Sequence, residues 1–87
     1  MYNIHYMSTV YNRIRVLRVS KGLSQQELAN RVGANRQTIG YLERQEYNPS
    51  IGLSLKIAEA LEVSVTLVFS LKPFASITEV LDQSRNN

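Results

Sequence analysis

The sequence contains no cysteine and no tryptophan, and its only histidine is His5. Without cysteine the protein has no disulfide framework and no thiolate nucleophile or metal ligand, which favours a cytoplasmic location. One histidine cannot build a multi-histidine metal site within a single chain, so we expect no metal and no other cofactor. No segment approaches the roughly 18 consecutive apolar residues that a membrane span needs, so no membrane partner is expected.

Features of an enzyme are equally scarce. The chain has no glycine-rich phosphate loop, and its acidic residues are not paired on one helix face for acid and base chemistry. A histidine-based catalytic triad within one chain would have to use His5, which precedes the recognisable domain. We therefore predict a protein without enzymatic activity.

Basic residues exceed acidic ones by ten to seven, which gives a net charge of +3 over 87 residues. The excess lies in residues 1–50, where seven Lys or Arg face three Glu, whereas residues 51–87 carry three basic and four acidic residues. A basic half suggests a polyanionic partner. A solvated surface of mixed charge is the alternative, because the asymmetry is modest.

Apolar spacing predicts five short helices in an all-α bundle. They are expected at about residues 10–20, 25–32, 36–43, 51–61 and 65–69. Lys21 and Gly22 suit the end of the first helix. Ser24 and Glu27 form a capping box at the start of the second, Asn35 is placed as the N-cap of the third, and Ser50 can cap the fourth.

The C-terminal part of the chain carries mixed signals. Residues 65–69 are rich in β-branched and aromatic side chains, which would suit a strand as well as a helix. Ser76 and Glu79 form a second capping box and predict a last helix near 77–83. We divide the chain into an N-terminal extension (1–9), a helical domain (10–70) and a C-terminal extension (71–87). Met7 marks either an ordered extension or an alternative start.

Four segments occur together in one order and spacing: RIRVLR at 13–18, KGLSQQELA at 21–29, RQTI at 36–39 and YNPS at 47–50. This pattern resembles the Cro/repressor-type helix-turn-helix regulators of the Xre family, over roughly two thirds of the chain. The resemblance implies a lambda repressor-like fold, a double-stranded DNA operator as partner, and a regulatory role in transcription.

In such a unit the second motif helix enters the major groove and its first turns reach base edges. The resemblance therefore implies base contacts from five residues: Asn35, Arg36, Gln37, Thr38 and Tyr41. Arg36 and Gln37 are the first choices, because arginine can donate two hydrogen bonds to guanine and glutamine can make two hydrogen bonds with adenine. Tyr41 could instead pack against the following loop.

The resemblance also implies contacts with backbone phosphates, which set register without carrying sequence information. The candidates flank the reading helix: Lys21, Ser24, Gln25, Arg44 and Asn48. Gln25 begins the first motif helix, whose free amides suit a phosphate. For Lys21, Arg44 and Asn48, ordinary solvation is the alternative.

Two departures from the family pattern concern the reading helix and the turn after it. Arg44, Gln45 and Glu46 replace an Asn-Gly-Lys-like turn, which puts phosphate contacts from that loop in doubt. Gly40 lies inside the helix, where glycine costs about 1 kcal/mol relative to alanine, and we expect it to permit a close approach to DNA.

Arg18 and Glu43 occupy the positions at which relatives pair a base of the first helix with the glutamate ending the third. The resemblance implies that this ion pair is structural. Substituting either residue is then expected to unfold the domain before it affects DNA.

The apolar C-terminal region needs a partner of its own. The simplest is a second copy, and five residues are predicted to form the homodimer interface: Leu67, Val68, Phe69, Leu71 and Phe74. Two-fold symmetry would then require an inverted-repeat operator. The alternative is an antitoxin-type role, in which the same surface binds and neutralises a protein partner and the chain represses its own operon.

Overall fold

A computed structural model describes residues 9–75. In chain order the elements are β1 (Tyr11–Asn12), α1 (Ile14–Ser20), α2 (Gln25–Val32), α3 (Arg36–Glu43), α4 (Ile51–Leu61), α5 (Val65–Val68) and β2 (Phe69–Ser70). The predicted bundle of five short helices is confirmed, with a small two-stranded sheet in addition. The helix expected near 77–83 lies outside the described residues.

The predicted start of the first helix at residue 10 is wrong. Tyr11 and Asn12 are extended and pair antiparallel with Ser70 and Phe69, respectively. The Asn12 side chain then accepts a hydrogen bond from the amide of Ile14 at 3.0 Å, at the start of α1. These residues are extended because their backbone groups pair with a strand distant in sequence rather than with the next helical turn.

The segment predicted as a helix over 65–69 divides between two structures. α5 ends at Val68, and Phe69 has the extended backbone angles φ −123° and ψ 145°. The amide of Arg13 donates to the carbonyl of Val68 at 2.8 Å, next to the strand pair. Both readings of this β-branched segment are therefore partly correct, because its last residue belongs to β2.

Side-chain caps begin α2, α3 and α4 at the predicted residues. The hydroxyl of Ser24 accepts from the amide of Glu27, and the Glu27 carboxylate accepts from the amide of Ser24, both at 3.0 Å. The side-chain oxygen of Asn35 accepts from the amide of Thr38 at 2.8 Å, and Ser50 caps α4 in the same way. The capping box and both further caps are confirmed.

Each of the first four helices is followed within two residues by a residue with a left-handed backbone: Gly22, Gly33, Gln45 and Glu62. In each case the amide after that residue bonds to the carbonyl five positions earlier, at 2.9–3.1 Å. These hydrogen bonds satisfy carbonyl groups in the last turn that have no partner within the helix. Glycine adopts the conformation freely, whereas Gln45 and Glu62 adopt it at a cost.

The core joins the motif helices to the rest of the domain. Its buried apolar side chains are Ile14, Leu23, Leu28, Ala29, Val32, Ile39, Leu42, Ile57, Ala58, Leu61 and Val68. Leu28 and Ala29 on α2 and Ile39 and Leu42 on α3 are at most 1% exposed. The opposite face of α3 is thereby fixed toward solvent.

Candidate nucleic-acid interface

The outer face of α3 carries polar and aromatic side chains. Arg36 and Gln37 are exposed at its start, and Tyr41 is 43% exposed one turn after Gln37. Residues four apart share a side of a helix, so Gln37 and Tyr41 lie on the same side, with Arg36 beside them. Side chains on the buried face of α3 anchor the helix in the core, so Arg36, Gln37 and Tyr41 are not needed for packing.

Asn35 and Thr38 are tied to each other at the start of α3. The side-chain oxygen of Asn35 accepts from both the amide and the hydroxyl of Thr38, at 2.8 and 2.9 Å. Their first role is therefore to begin the helix and to fix Arg36 and Gln37. Contacts of these two residues with bases would use the Asn35 amide group and the Thr38 methyl group.

The pair of Arg18 and Glu43 is present and nearly buried, with side chains 11% and 5% exposed. Arg18 donates twice to the carboxylate, from Nε at 2.6 Å and from Nη2 at 3.1 Å. Its Nη1 donates to the carbonyl of Leu23 at 2.9 Å, and Gln25 donates to Glu43 at 3.0 Å. The network joins α1, α2 and α3, which makes it structural, and it fixes Gln25 at the start of α2.

A cleft of about 360 Å³ opens beside this network. It is lined by Arg15, Arg18, Gln25, Gly40, Glu43 and Arg44. A shallower depression adjoins it and is lined by Gln25, Arg36, Gln37, Gly40, Tyr41 and Arg44. Since Gln25, Gly40 and Arg44 belong to both, one continuous surface runs from α1 to the start of α3. Glu43 pairs with Arg18 and Glu46 pairs with Arg44, so Arg15 and Arg36 give the surface its net positive charge.

Arg44 lies along this surface and is held there by its neighbours. Its Nε donates to Glu46 at 2.7 Å, and its guanidinium lies 5.2 Å from the centre of the Tyr41 ring. The hydrogen bond to Glu46 raises the pKa of Arg44 above its usual value. A Cβ at Gly40 would lie 3.3 Å from Nη1 of Arg44, so Gly40 makes room for this side chain.

The other candidate phosphate residues have partners of their own. Lys21 forms an exposed ion pair with Glu62 at 3.2 Å, and the Asn48 side chain accepts from the amide of Val10 at 3.2 Å. The Ser24 hydroxyl caps α2. None of these three lines the cleft or the depression beside it, whereas Gln25 and Arg44 line both.

Two residues of this surface, Arg15 and Gly40, were not predicted from the sequence as contacts, and neither was the pairing of Arg44 with Glu46. Arg15 could have been found, because it lies three residues before Arg18 and shares its side of α1. The pairing of Glu46 with Arg44 depends on the left-handed turn at Gln45, for which the sequence offers no glycine as a signal.

The five predicted interface residues do not form one exposed patch. Val68 is fully buried, and the prediction is corrected there: its side chain belongs to the core of its own chain. Phe69 packs half-buried against the core, and the ring of Phe74 lies 4.0 Å under the guanidinium of Arg13. Leu67 and Leu71 are exposed, by 50% and 70%.

An apolar groove includes one of these five residues, Phe69. Its lining carries no charged side chain and consists of Val10, Pro49, Ile51, Ser54, Leu55, Val65 and Phe69. Ile51 and Leu55 are 81% and 54% exposed and lie one turn apart on α4.

Within residues 9–75 no group of three or more acidic or histidine side chains could hold a metal ion. No helix in the same range is long and apolar enough to cross a membrane.

The two helices α2 and α3, joined by a short turn at Gly33 and backed by a common core, define a helix-turn-helix protein. The profile of the helix-turn-helix family HTH_3, which is of the Cro/C1 type, matches residues 14–68. The chain belongs to this family, and it is a transcriptional regulator with a DNA-binding helix-turn-helix fold.

Three similar proteins illustrate the family. An HTH-type transcriptional regulator of Archaeoglobus fulgidus is 44% identical over 57 residues, which cover 66% of this chain and 81% of that protein. The restriction-modification controller protein C.AhdI from Aeromonas hydrophila superposes with a TM-score of 0.60 at 41% identity, covering 62% of this chain and 82% of its own. Antitoxin HipB of Escherichia coli O6:H1 is 33% identical over 64 residues, 74% of this chain and 68% of that protein.

Proposed function

We propose that this regulator is a repressor that binds an inverted-repeat operator in double-stranded DNA as a homodimer, with α3 of each copy in the major groove. The observation that carries this proposal is the exposed row of Arg36, Gln37 and Tyr41 on α3, whose other face is fixed in the core. Arginine and glutamine can each make two hydrogen bonds to one base edge. Base readout is therefore assigned first to Arg36 and Gln37.

The basic surface beside α3 supports binding of the DNA backbone. Gln25 and Arg44, two of the predicted phosphate contacts, line it together with Arg15. Phosphate contacts release condensed counterions, so the affinity for DNA falls steeply with salt. The positions of Lys21 and Asn48 give less support to a phosphate role for these two residues, since both have partners away from this surface.

A second copy is the occupant we assign to the apolar groove. One helix-turn-helix unit buries little surface on DNA, and two-fold pairing places two reading helices about one helical turn of DNA apart. The groove is uncharged, and the exposed side chains of Ile51 and Leu55 on its rim suit a self-complementary apolar contact. In this proposal Phe69, which lines the groove, belongs to the interface, and Val68 supports it only from within the core.

Selection from a library of random duplexes tests the proposed function. We expect an enriched sequence with two inverted half-sites, bound by a protein that sedimentation shows to be a dimer. The affinity for that duplex should fall linearly with the logarithm of salt concentration. Absence of any enriched sequence, with a folded protein, would contradict sequence-specific binding.

A second function deserves a test because of the apolar groove and the likeness to antitoxin HipB. In this alternative the groove binds a toxin and the DNA-binding surface represses the shared operon. A toxin-like gene beside the gene for this chain, and co-purification of its product, would favour the alternative. A palindrome in the chain's own promoter without such a neighbour would favour the simple repressor.

A further inference from the structure

The guanidinium of Arg44 has a defined place at the end of α3. Its Nε donates to Oε1 of Glu46 at 2.7 Å, and Tyr41 supports it with a ring centre 5.2 Å away. Its Nη1 lies over Gly40, the only residue of α3 without a side chain. The guanidinium therefore lies beside Gly40 and Tyr41 of the helix, although its side chain is 56% exposed.

Glu46 engages only one edge of this guanidinium. Among the described residues, the hydrogen bond from Nε is the only one that Arg44 makes through its side chain, which leaves Nη1 and Nη2 as donors. Arg44 lines the same cleft as Arg15 and Gln25. Two parallel N–H groups of an arginine match the oxygens of a phosphate.

Resting on the DNA binding proposed above, we propose that Arg44 and Arg15 together bind one backbone phosphate of the operator, and that Glu46 is the positioning residue for Arg44. A phosphate is favoured over a base because the first turns of a reading helix reach the bases, whereas Arg44 follows the last residue of α3. The acid at position 46 thus aims a cation at DNA, although its own charge repels DNA.

The opposite role for Glu46 would be to shield Arg44 from DNA. Shielding would require the carboxylate to occupy the Nη pair, and the structure places it on Nε. The pair is also about half exposed, with side chains 56% and 47% accessible, so it contributes little to folding. Its effect is therefore expected in DNA binding rather than in stability.

Glu46→Ala and Glu46→Gln distinguish positioning from simple charge. Removing an acid from a DNA-binding protein ordinarily raises its affinity for DNA, and the exposed Glu59→Ala serves as the matched control for charge. We expect Glu46→Ala to lower operator affinity roughly threefold per bound copy, because the freed arginine must be ordered on binding. Glu46→Gln keeps an acceptor for Nε and should bind at least as well as the wild type.

Arg44→Ala completes a double-mutant cycle. We expect it to lower operator affinity roughly tenfold per copy and to reduce the slope of log affinity against log salt by about one per copy. In the Arg44→Ala background, Glu46→Ala should no longer lower the affinity. A neutral methylphosphonate placed at each operator phosphate in turn should identify one position per half-site at which the wild type loses affinity and Arg44→Ala does not.

Gly40→Ala tests the space for the guanidinium. Alanine favours a helix over glycine, so the melting temperature should stay equal or rise. Its Cβ would lie 3.3 Å from Nη1, so the end of the Arg44 side chain must move by a few tenths of an ångström, and the operator affinity should fall by less than in Arg44→Ala. Unchanged affinity would contradict this part of the proposal.

Two results would overturn the role of Glu46. A rise in affinity for Glu46→Ala would show shielding, and an equal loss with and without Arg44 would show that Glu46 acts elsewhere. Arg36→Ala is measured in parallel to separate this proposal from the proposed function. If the wild type prefers no duplex, the proposed function itself is refuted. If Arg36→Ala loses discrimination between duplexes but Glu46→Ala binds the operator normally, only the positioning role of Glu46 is refuted.

Discussion

Truncating the buried acid, Glu43→Ala, is expected to remove most of the stability of the domain. The Glu43 carboxylate accepts three N–H groups, two from Arg18 at 2.6 and 3.1 Å and one from Gln25 at 3.0 Å. With the acid gone, the nearly buried Arg18, whose side chain is 11% exposed in the wild type, would lose its counter-ion. Stranding one partner of a buried pair costs about 3 to 5 kcal/mol.

One hydrogen bond of Arg18 limits the loss in the free energy of unfolding. Arg18 keeps its hydrogen bond to the carbonyl of Leu23, so we expect the lower end, about 3 kcal/mol. Small domains are stable by as little as about 5 kcal/mol. With a urea slope of about 1 kcal/mol per molar, the midpoint of unfolding should fall by about 3 M.

Urea unfolding followed by circular dichroism measures this shift, and the chain supplies a matched control. Lys21 and Glu62 form an ion pair at 3.2 Å whose side chains are 39% and 73% exposed. Lys21→Met should therefore change stability by less than about 1 kcal/mol. The double variant Arg18→Met with Glu43→Leu replaces both charges by apolar groups and should recover most of the loss. A midpoint for Glu43→Ala that moves no further than that of Lys21→Met would refute the structural role of the pair.

Three further predictions concern the turn after α3, the start of α2 and the groove. Gln45→Gly should raise the free energy of unfolding by about 0.5 to 1 kcal/mol, since Gln45 has φ 59°, and an unchanged urea midpoint would argue against strain there. Hydrogen bonds from the amide and side chain of Ser24 hold the pKa of Glu27 below its usual 4.5. The wild type should therefore be more stable than Glu27→Gln by a constant amount above pH 4.5, and this difference in the free energy of unfolding should shrink as the pH falls through the folded-state pKa of Glu27. Thermal melts in which the difference stays constant down to pH 3 would contradict this. Ile51→Asn with Leu55→Asn should yield folded monomers in sedimentation velocity, and an unchanged dimer would remove the groove from the proposed interface.

Local signals predicted the motif helices well. The caps Ser24, Asn35 and Ser50 each bind an amide three residues later, so a short stretch of sequence contains both partners. Gly22 and Gly33 end their helices for a similarly local reason, because glycine accepts a left-handed backbone. The bounds of α2, α3 and α4 followed from these signals.

Features that depend on distant partners were missed. Residues 11–12 are extended because they pair with residues 69–70, which no local pattern reveals. Val68 was assigned to an exposed interface because a short apolar run does not show which of its side chains turn inward. For Gly40, a role in approaching DNA was expected, whereas the structure shows that it accommodates Arg44.

The central claim is that the start of α3 distinguishes one duplex from another. Arg36→Ala and Gln37→Ala test it, with the exposed Arg31→Ala and Gln26→Ala on α2 as controls of the same residue types. Fluorescence anisotropy at fixed salt gives the ratio of affinities for the selected operator and a scrambled duplex. We expect this ratio to fall roughly tenfold or more for each α3 variant and to stay unchanged for each α2 variant. If the α3 variants fold normally and keep the full ratio, the reading helix has been assigned wrongly.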